Sequence, residues 1–181
     1  MSQARNGSTS DNSATTRSIE TMTRSGVPLT IRRALPADLS MVADIYAHLT
    51  AQDLRFRFGP SADKLGQMEL AHLLDQSSGM FSFLATSGTV PVACATLLCE
   101  PGHDRADIIL SVRSDWKGRG VSWTLLEHVL ERASEMGLKR VSSVEPCGDR
   151  DAINLQREMG FVARLKSADP LELSLVKSVD T

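Results

Sequence analysis

Val112-Arg113-Ser114-Asp115-Trp116-Lys117-Gly118-Arg119-Gly120-Val121-Ser122-Trp123 is the stretch on which the fold turns. Before it, Ala106-Asp107-Ile108-Ile109-Leu110-Ser111-Val112 reads as a strand. After it, Val121, Leu125, Val129 and Ala133 recur on one helical face, with Leu126, Leu130 and Met136 beside them. Glu127, Glu131, Arg132 and Glu135 lie opposite. A glycine-rich cationic turn thus joins a strand to a helix amino terminus. The first turn of a helix has backbone N–H groups without intrahelical partners, and the macrodipole adds positive potential there. Gly118 and Gly120 let the backbone come close to a phosphate, and Lys117 and Arg119 add charge, so the turn is suited to bind an anion; the other reading is a plain strand-to-helix turn with solvated basic residues. Its spacing is neither that of a P-loop nor that of a dinucleotide fingerprint.

The run Lys117-Gly118-Arg119-Gly120-Val121-Ser122 resembles the coenzyme A loop of the GNAT superfamily of N-acetyltransferases, Gln/Arg-x-x-Gly-x-Gly/Ala. It departs at Lys117, which stands for Gln/Arg, and at Ser122, which stands for Gly/Ala. Ile31-Arg32-Arg33-Ala34-Leu35-Pro36-Ala37-Asp38 is similar to the phrase that opens such domains, and Arg157-Glu158-Met159-Gly160-Phe161 to the one that closes them. The resemblance implies a mixed α/β fold: a twisted, mostly antiparallel sheet of six to seven strands with helices on both faces. It also implies that the strand leading into the loop splays from its neighbour, with the pantetheine arm of acetyl-CoA bonded along Leu110, Ser111 and Val112. Lys117, Gly118, Arg119, Gly120, Val121 and Ser122 would hold the pyrophosphate.

The pattern along the chain agrees with that order of elements. Residues 1–27 are dominated by Ser, Thr, Asn and Gly and are expected to be a disordered tail, with the domain spanning 28–181. Leu29-Thr30-Ile31-Arg32-Arg33-Ala34 alternates as a strand, and Pro36 opens a helix through Leu39, Val42, Ala43, Tyr46 and Leu49. Leu54-Arg55-Phe56-Arg57-Phe58-Gly59 is a short amphipathic piece, and with the helix that follows it resembles the acetyltransferase domain of bacterial protein lysine acetyltransferases that act on acyl-CoA synthetases. Ser61 is expected to cap a helix holding Leu65, Met68, Leu70, Leu73 and Leu74. Ser87-Gly88-Thr89 marks a hairpin between two apolar strands, and Pro91 belongs at the start of the second. Further strands are expected over 138–144, from Phe161, and over 171–176, with a helix from Asp149 or Asp151 to Gly160.

Direct transfer to an ammonium needs a proton acceptor. Ala106-Asp107-Ile108-Ile109-Leu110-Ser111-Val112 is similar to the Ala-Glu-x-x-x-x-Val phrase of bacterial lysine acetyltransferases that act on acyl-CoA synthetases. The resemblance therefore puts Asp107 in the role of general base, or leaves it a solvated carboxylate at a strand start. Many members place a Tyr on the last helix as general acid, and that slot holds Gln156 here, leaving the acid unassigned. Cys147 lies near the expected thioester, but nothing marks a partner His.

At 181 residues, net charge −2 and 41% apolar residues, the chain has the size of one domain and none of the basic excess of a nucleic-acid binder. Cys94, Cys99 and Cys147 and the scattered His48, His72, His103 and His128 lack metal-ligand spacing. A cytoplasmic protein, monomer or homodimer, without metal, nucleic-acid or membrane partner, is expected. The leading function is acetyl transfer from acetyl-CoA to a protein lysine, including that of an acyl-CoA synthetase. Transfer to a small amine or amino acid, and a non-catalytic acyl-CoA-binding regulatory module, are the alternatives. Arg55 and Arg57 are read either as contacts for an acidic acceptor surface or as a solvated face.

Overall fold

The computed structural model describes residues 18–59, 65–102 and 104–179. Period-two stretches of apolar residues become strands, and together they form one eight-stranded sheet in the order β1-β2-β3-β4-β5-β6-β8-β7. The strands are β1 (Ile19–Met22), β2 (Pro28–Arg33), β3 (Met80–Ser87), β4 (Val90–Cys99), β5 (Arg105–Val112), β6 (Arg140–Pro146), β7 (Val162–Ala168) and β8 (Leu171–Ser178). All neighbours are antiparallel except β5 and β6. The fold is the expected mixed, mostly antiparallel one, with one strand beyond the six to seven anticipated. That strand is β1, which corrects the expected tail. Residues 1–17 lie outside the described residues, but Ile19 to Met22 pair antiparallel with Ile31 to Pro28.

The helices are α1 (Leu39–Ala47), α2 (Ala51–Phe58), α3 (Gln67–His72), α4 (Val121–Glu135) and α5 (Arg150–Glu158). Pro36 starts a 3-10 turn, Pro36–Asp38, which feeds α1. Thr50 caps α2 by accepting the Asp53 N–H, and Asp149 caps α5 by accepting that of Ala152. Helix α3 starts later than expected, behind Gly66, and Met68 on it is exposed rather than packed. The proposed cap, Ser61, lies outside the described residues.

The sheet separates two apolar clusters. Leu125, Leu126, Val129 and Ala133 of α4 pack with Ala93, Ala95, Leu97, Ile108 and Val141 in the larger one. Val42, Ile45 and Tyr46 of α1 pack with Leu54, Leu70, Leu73, Leu84 and Cys94 in the smaller. Leu84 and Cys94 are paired across β3 and β4 and point one way, while Phe83 and Ala95 point the other. Cys94 and Cys99 are both free, as their opposed faces require. Among the described residues no helix is long and apolar enough to cross a membrane.

Candidate active site

The cleft begins where two parallel strands part. β5 pairs with β6 at Arg105–Arg140, Ala106–Val141 and Asp107–Ser142, yet β5 runs on to Val112 and β6 to Pro146. Beyond Asp107 the β6-facing edge of β5 has no strand partner, so its backbone groups are available to an added extended group. A cleft of about 510 Å³ opens there, lined by Leu110, Ser111 and Val112, by the loop before α4, and by α5.

The loop is shaped by its glycines. Gly118 and Gly120 both take positive φ, 74° and 78°, and Gly120 is the residue from which α4 starts. Lys117, Gly118, Gly120 and Ser122 line the cleft. Val121 does not: its side chain is buried in the larger cluster, leaving only its backbone for a ligand. Arg119 does not line it either, and its guanidinium lies over the Trp116 ring. Lys117 is no free cation, since its Nζ donates to Asp53 on α2 at 2.8 Å. Arg113 fixes the base of the loop, donating to Asp44 of α1 at 2.7 Å and to Asp115 at 3.0 Å.

Asp107 sits at the last rung before the strands part. It is exposed, accepts a hydrogen bond from Ser142, and faces a separate polar groove with Arg105, Arg140 and Arg164. The structure does not bring it into the cleft with the loop. Of the carboxylates that do line the cleft, Asp53, Glu145, Asp149 and Asp151, the buried one is Glu145, near the end of β6 and only 3% exposed. Val141, Ser143 and Glu145 share the buried face of that strand. Burial pushes the Glu145 carboxyl above its ordinary value, with Asp149 and Asp53 adding to the rise. Arg57 and a hydrogen bond donated by Gln156 Nε2 at 2.8 Å draw it back. Gln156 in turn accepts from Ser143 Oγ, so the residue in the tyrosine slot orients a carboxylate. Tyr46, far off in sequence, reaches the same strand: Ser111 Oγ lies 3.4 Å from its buried hydroxyl, whose desolvation raises its pKa. Cys147 follows β6 but does not line the cleft.

Sequence reasoning missed Glu145, Asp53 and Asp149. The inward register of Glu145 behind Val141 and Ser143 was a usable signal. Asp53 had none, because it meets Lys117 across 64 positions of sequence.

The strand-edge gap and the glycine loop beside it lie within the residues matched in comparison with known families. The acetyltransferase (GNAT) family matches residues 44–161. The chain belongs to the GNAT family. Its members generally use acetyl-CoA, which places this chain among the acetyl-CoA-dependent N-acetyltransferases. Among solved structures, the GNAT domain of S. lividans PAT is similar with a TM-score of 0.80 at 18% identity, over 89% of this chain and 96% of that one. The ribosomal-protein-S18-alanine N-acetyltransferase from Escherichia coli gives 0.65 at 17% identity, over 84% and 95%. A spermidine N-acetyltransferase chimera from Vibrio cholerae and hSSAT gives 0.66 at 15%, over 83% and 95%. Likenesses at such identities concern the fold.

Proposed function

We propose that this GNAT chain acetylates a primary amine, that of a protein lysine, with Glu145 as the group that takes the proton. The observation that carries the reading is a buried carboxylate on the wall of the cleft that opens where β5 and β6 part. Loop 117–122 is suited to the pyrophosphate of acetyl-CoA, because glycines at 118 and 120 clear space at a helix start. The free edge at Leu110 to Val112 is suited to the amides of the pantetheine arm. When bound, acetyl-CoA supplies the thioester carbonyl.

The residues of the chain do the rest. Asp53, Glu145 and Asp149 line the cleft and favour a cationic acceptor. Glu145 takes a proton from the acceptor ammonium, and the freed lone pair forms the C–N bond as the C–S bond breaks. The thiolate leaves with the electron pair, and the second proton that the nitrogen sheds on becoming an amide reaches it by way of solvent. A carboxylate whose pKa is raised is a better match for an ammonium proton than an ordinary one. Gln156, held by Ser143, keeps the carboxylate in place.

Two features support a protein lysine as acceptor: the similarity of the segment 54–58 to lysine acetyltransferases acting on acyl-CoA synthetases, and the fold likeness to the S. lividans domain. Arg57 from that segment lines the cleft. A small amine is the second reading, favoured by the carboxylates Asp53, Glu145, Asp149 and Asp151 around one cleft, which suit a compact polycation. Intact mass spectrometry decides between them. The chain, acetyl-CoA and an acyl-CoA synthetase should yield a synthetase heavier by one acetyl group. No gain on several such synthetases, with turnover of a small amine, moves the assignment to the second reading. Asp107 competes for the base role only through a water relay from its own groove. Glu145→Gln and Asp107→Asn separate the two, and the greater loss of kcat is expected at Glu145, on the order of 10²–10⁴-fold.

A further inference from the structure

The cleft adjoins a smaller recess of about 250 Å³. The two share Asp53, Arg57, Lys117, Glu145 and Asp149, but the recess touches neither Gly118 and Gly120 nor the Leu110–Val112 edge. Its walls are α2 on one side and the stretch from the end of β6 to the α5 cap on the other. The proposed function gives the loop and the free edge to acetyl-CoA, and the inference rests on that reading. The recess is then the part of the site left to the acceptor.

Every charge in the recess except one is bound to a neighbour. Asp53 accepts from Lys117 Nζ at 2.8 Å and from Thr50 Oγ1 at 2.7 Å. Glu145 accepts from Gln156 Nε2 at 2.8 Å, and Asp149 accepts the Ala152 N–H at 3.1 Å. Arg57 is the exception, since it makes no hydrogen bond or ion pair with a described residue. Its charge still acts on Asp53 and Glu145, so it stands near both without closing on either. The residue is half-buried in the last turn of α2. A guanidinium partly withdrawn from water and lacking a counter-ion is a strong site for one, because its planar fork meets a carboxylate with two charge-assisted bonds.

The recess thus offers both signs of charge to one guest: carboxylates for an ammonium, and the Arg57 fork for an anion. An acceptor bearing only positive charge would set a cation against Arg57, which weakens its binding. We infer that Arg57 is a specificity-determining residue, which binds a carboxylate carried by the acceptor close to its reacting amine. On a protein that carboxylate is an Asp or Glu beside the target lysine. On a small acceptor it is that of an amino acid.

Steady-state rates of the full chain at saturating acetyl-CoA test this. One arm uses lysine peptides in which Glu or Gln is walked through the positions flanking the lysine. The other compares Nα-acetyl-lysine with its amide, which differ only in the carboxylate. The parent should favour the carboxylate member of at least one pair by about tenfold in kcat/KM, mainly through KM. Arg57→Gln should bring that ratio near one, and Arg57→Lys should keep part of it, since the charge stays and the fork goes. Arg57 also draws the Glu145 carboxyl down, so its loss shifts kcat on every acceptor alike, and the ratio is the measure. A preference among the peptides names a protein acceptor, and one confined to the acetyl-lysine pair names an amino acid. A parent without preference, or a preference that Arg57→Gln leaves whole, overturns the inference alone. Weaker CoA binding by Arg57→Gln with the ratio unchanged does so too, and gives Arg57 to the co-substrate. Turnover of none of these acceptors, with turnover of a simple diamine, overturns the lysine reading and the inference together.

Discussion

Asp38 and Glu145 are both withdrawn from water, and their protonation equilibria move in opposite directions. Asp38 accepts from both terminal nitrogens of Arg32, at 2.6 and 2.7 Å, and from the Leu35 N–H at 2.8 Å. The Arg32 bonds hold its carboxyl below the ordinary value. Its stabilising effect is thus complete at neutral pH and fades as pH falls through that lowered value. Asp38→Asn should cost about 1–3 kcal/mol at neutral pH. Urea titrations should show the difference from the parent closing towards the acid limit. Glu145 is the reverse case, since desolvation raises its carboxyl and ionised Glu145 is a cost to the folded state above that raised value. Glu145→Gln should therefore melt at or above the parent temperature at pH 8, and lose that advantage as pH falls below the raised value. A variant that is more stable and far less active marks a functional carboxylate; one that is less stable at pH 8 marks a structural one. The sequence held half of this. Alternation behind Val141 and Ser143 turns Glu145 inward, but the Gln156 that satisfies it arrives from α5, and only the fold shows the pair.

Elements differ in how far their neighbours dictate them. Helix α4 was legible because its apolar face repeats at helical spacing for its whole length and glycine stands before and after it. The strands β3, β4 and β5 were legible for the same local reason, with the Gly88-Thr89 turn between the first two. Strand β1 was not. It is a four-residue strand in a polar stretch, Met22 on it is exposed, and among the described residues its only pairing is with β2. Its value lies in what its turn does to the α4 start, and two glycine substitutions expose this. Gly118 has φ 74° and open space around a would-be Cβ, so Gly118→Ala should cost only backbone strain, about 1–2 kcal/mol. Gly120 has φ 78° and Thr23 3.1 Å from a would-be Cβ, so Gly120→Ala must also displace the hairpin. Denaturant midpoints should rank Gly120→Ala as the less stable. Equal losses would mean that the hairpin yields freely and does not define the loop.

At the scale of the molecule, the candidate site is a meeting of parts with unequal security. The β5 edge and α4 belong to the larger cluster, where Leu125, Val129 and Leu97 are fully buried. Helix α2 brings Asp53 and Arg57 to the same cleft with only Leu54 fully buried, aided by the edge contact of Phe58 with Tyr46, whose ring centroids lie 5.8 Å apart. Its tie to the loop is the Lys117–Asp53 bond, with Lys117 about half exposed. This assembly was beyond the sequence, because nothing local to Asp53 announces Lys117. An exposed ion pair contributes on the order of 1 kcal/mol or less, and an element with little buried surface opens at lower free energy than the core. Native-state hydrogen exchange should accordingly show α2 amides exchanging well before those of α4 and β4. Asp53→Ala should quicken α2 exchange several-fold and leave α4 unmoved, since the two are joined by that bond rather than by shared packing. An anion on loop 117–122 competes with Asp53 for Lys117, so saturating CoA should quicken α2 exchange in the parent and have no such effect on Asp53→Ala. If CoA instead slows α2 exchange in both proteins equally, the helix closes over the ligand through contacts other than Asp53, and the ion pair is incidental to binding.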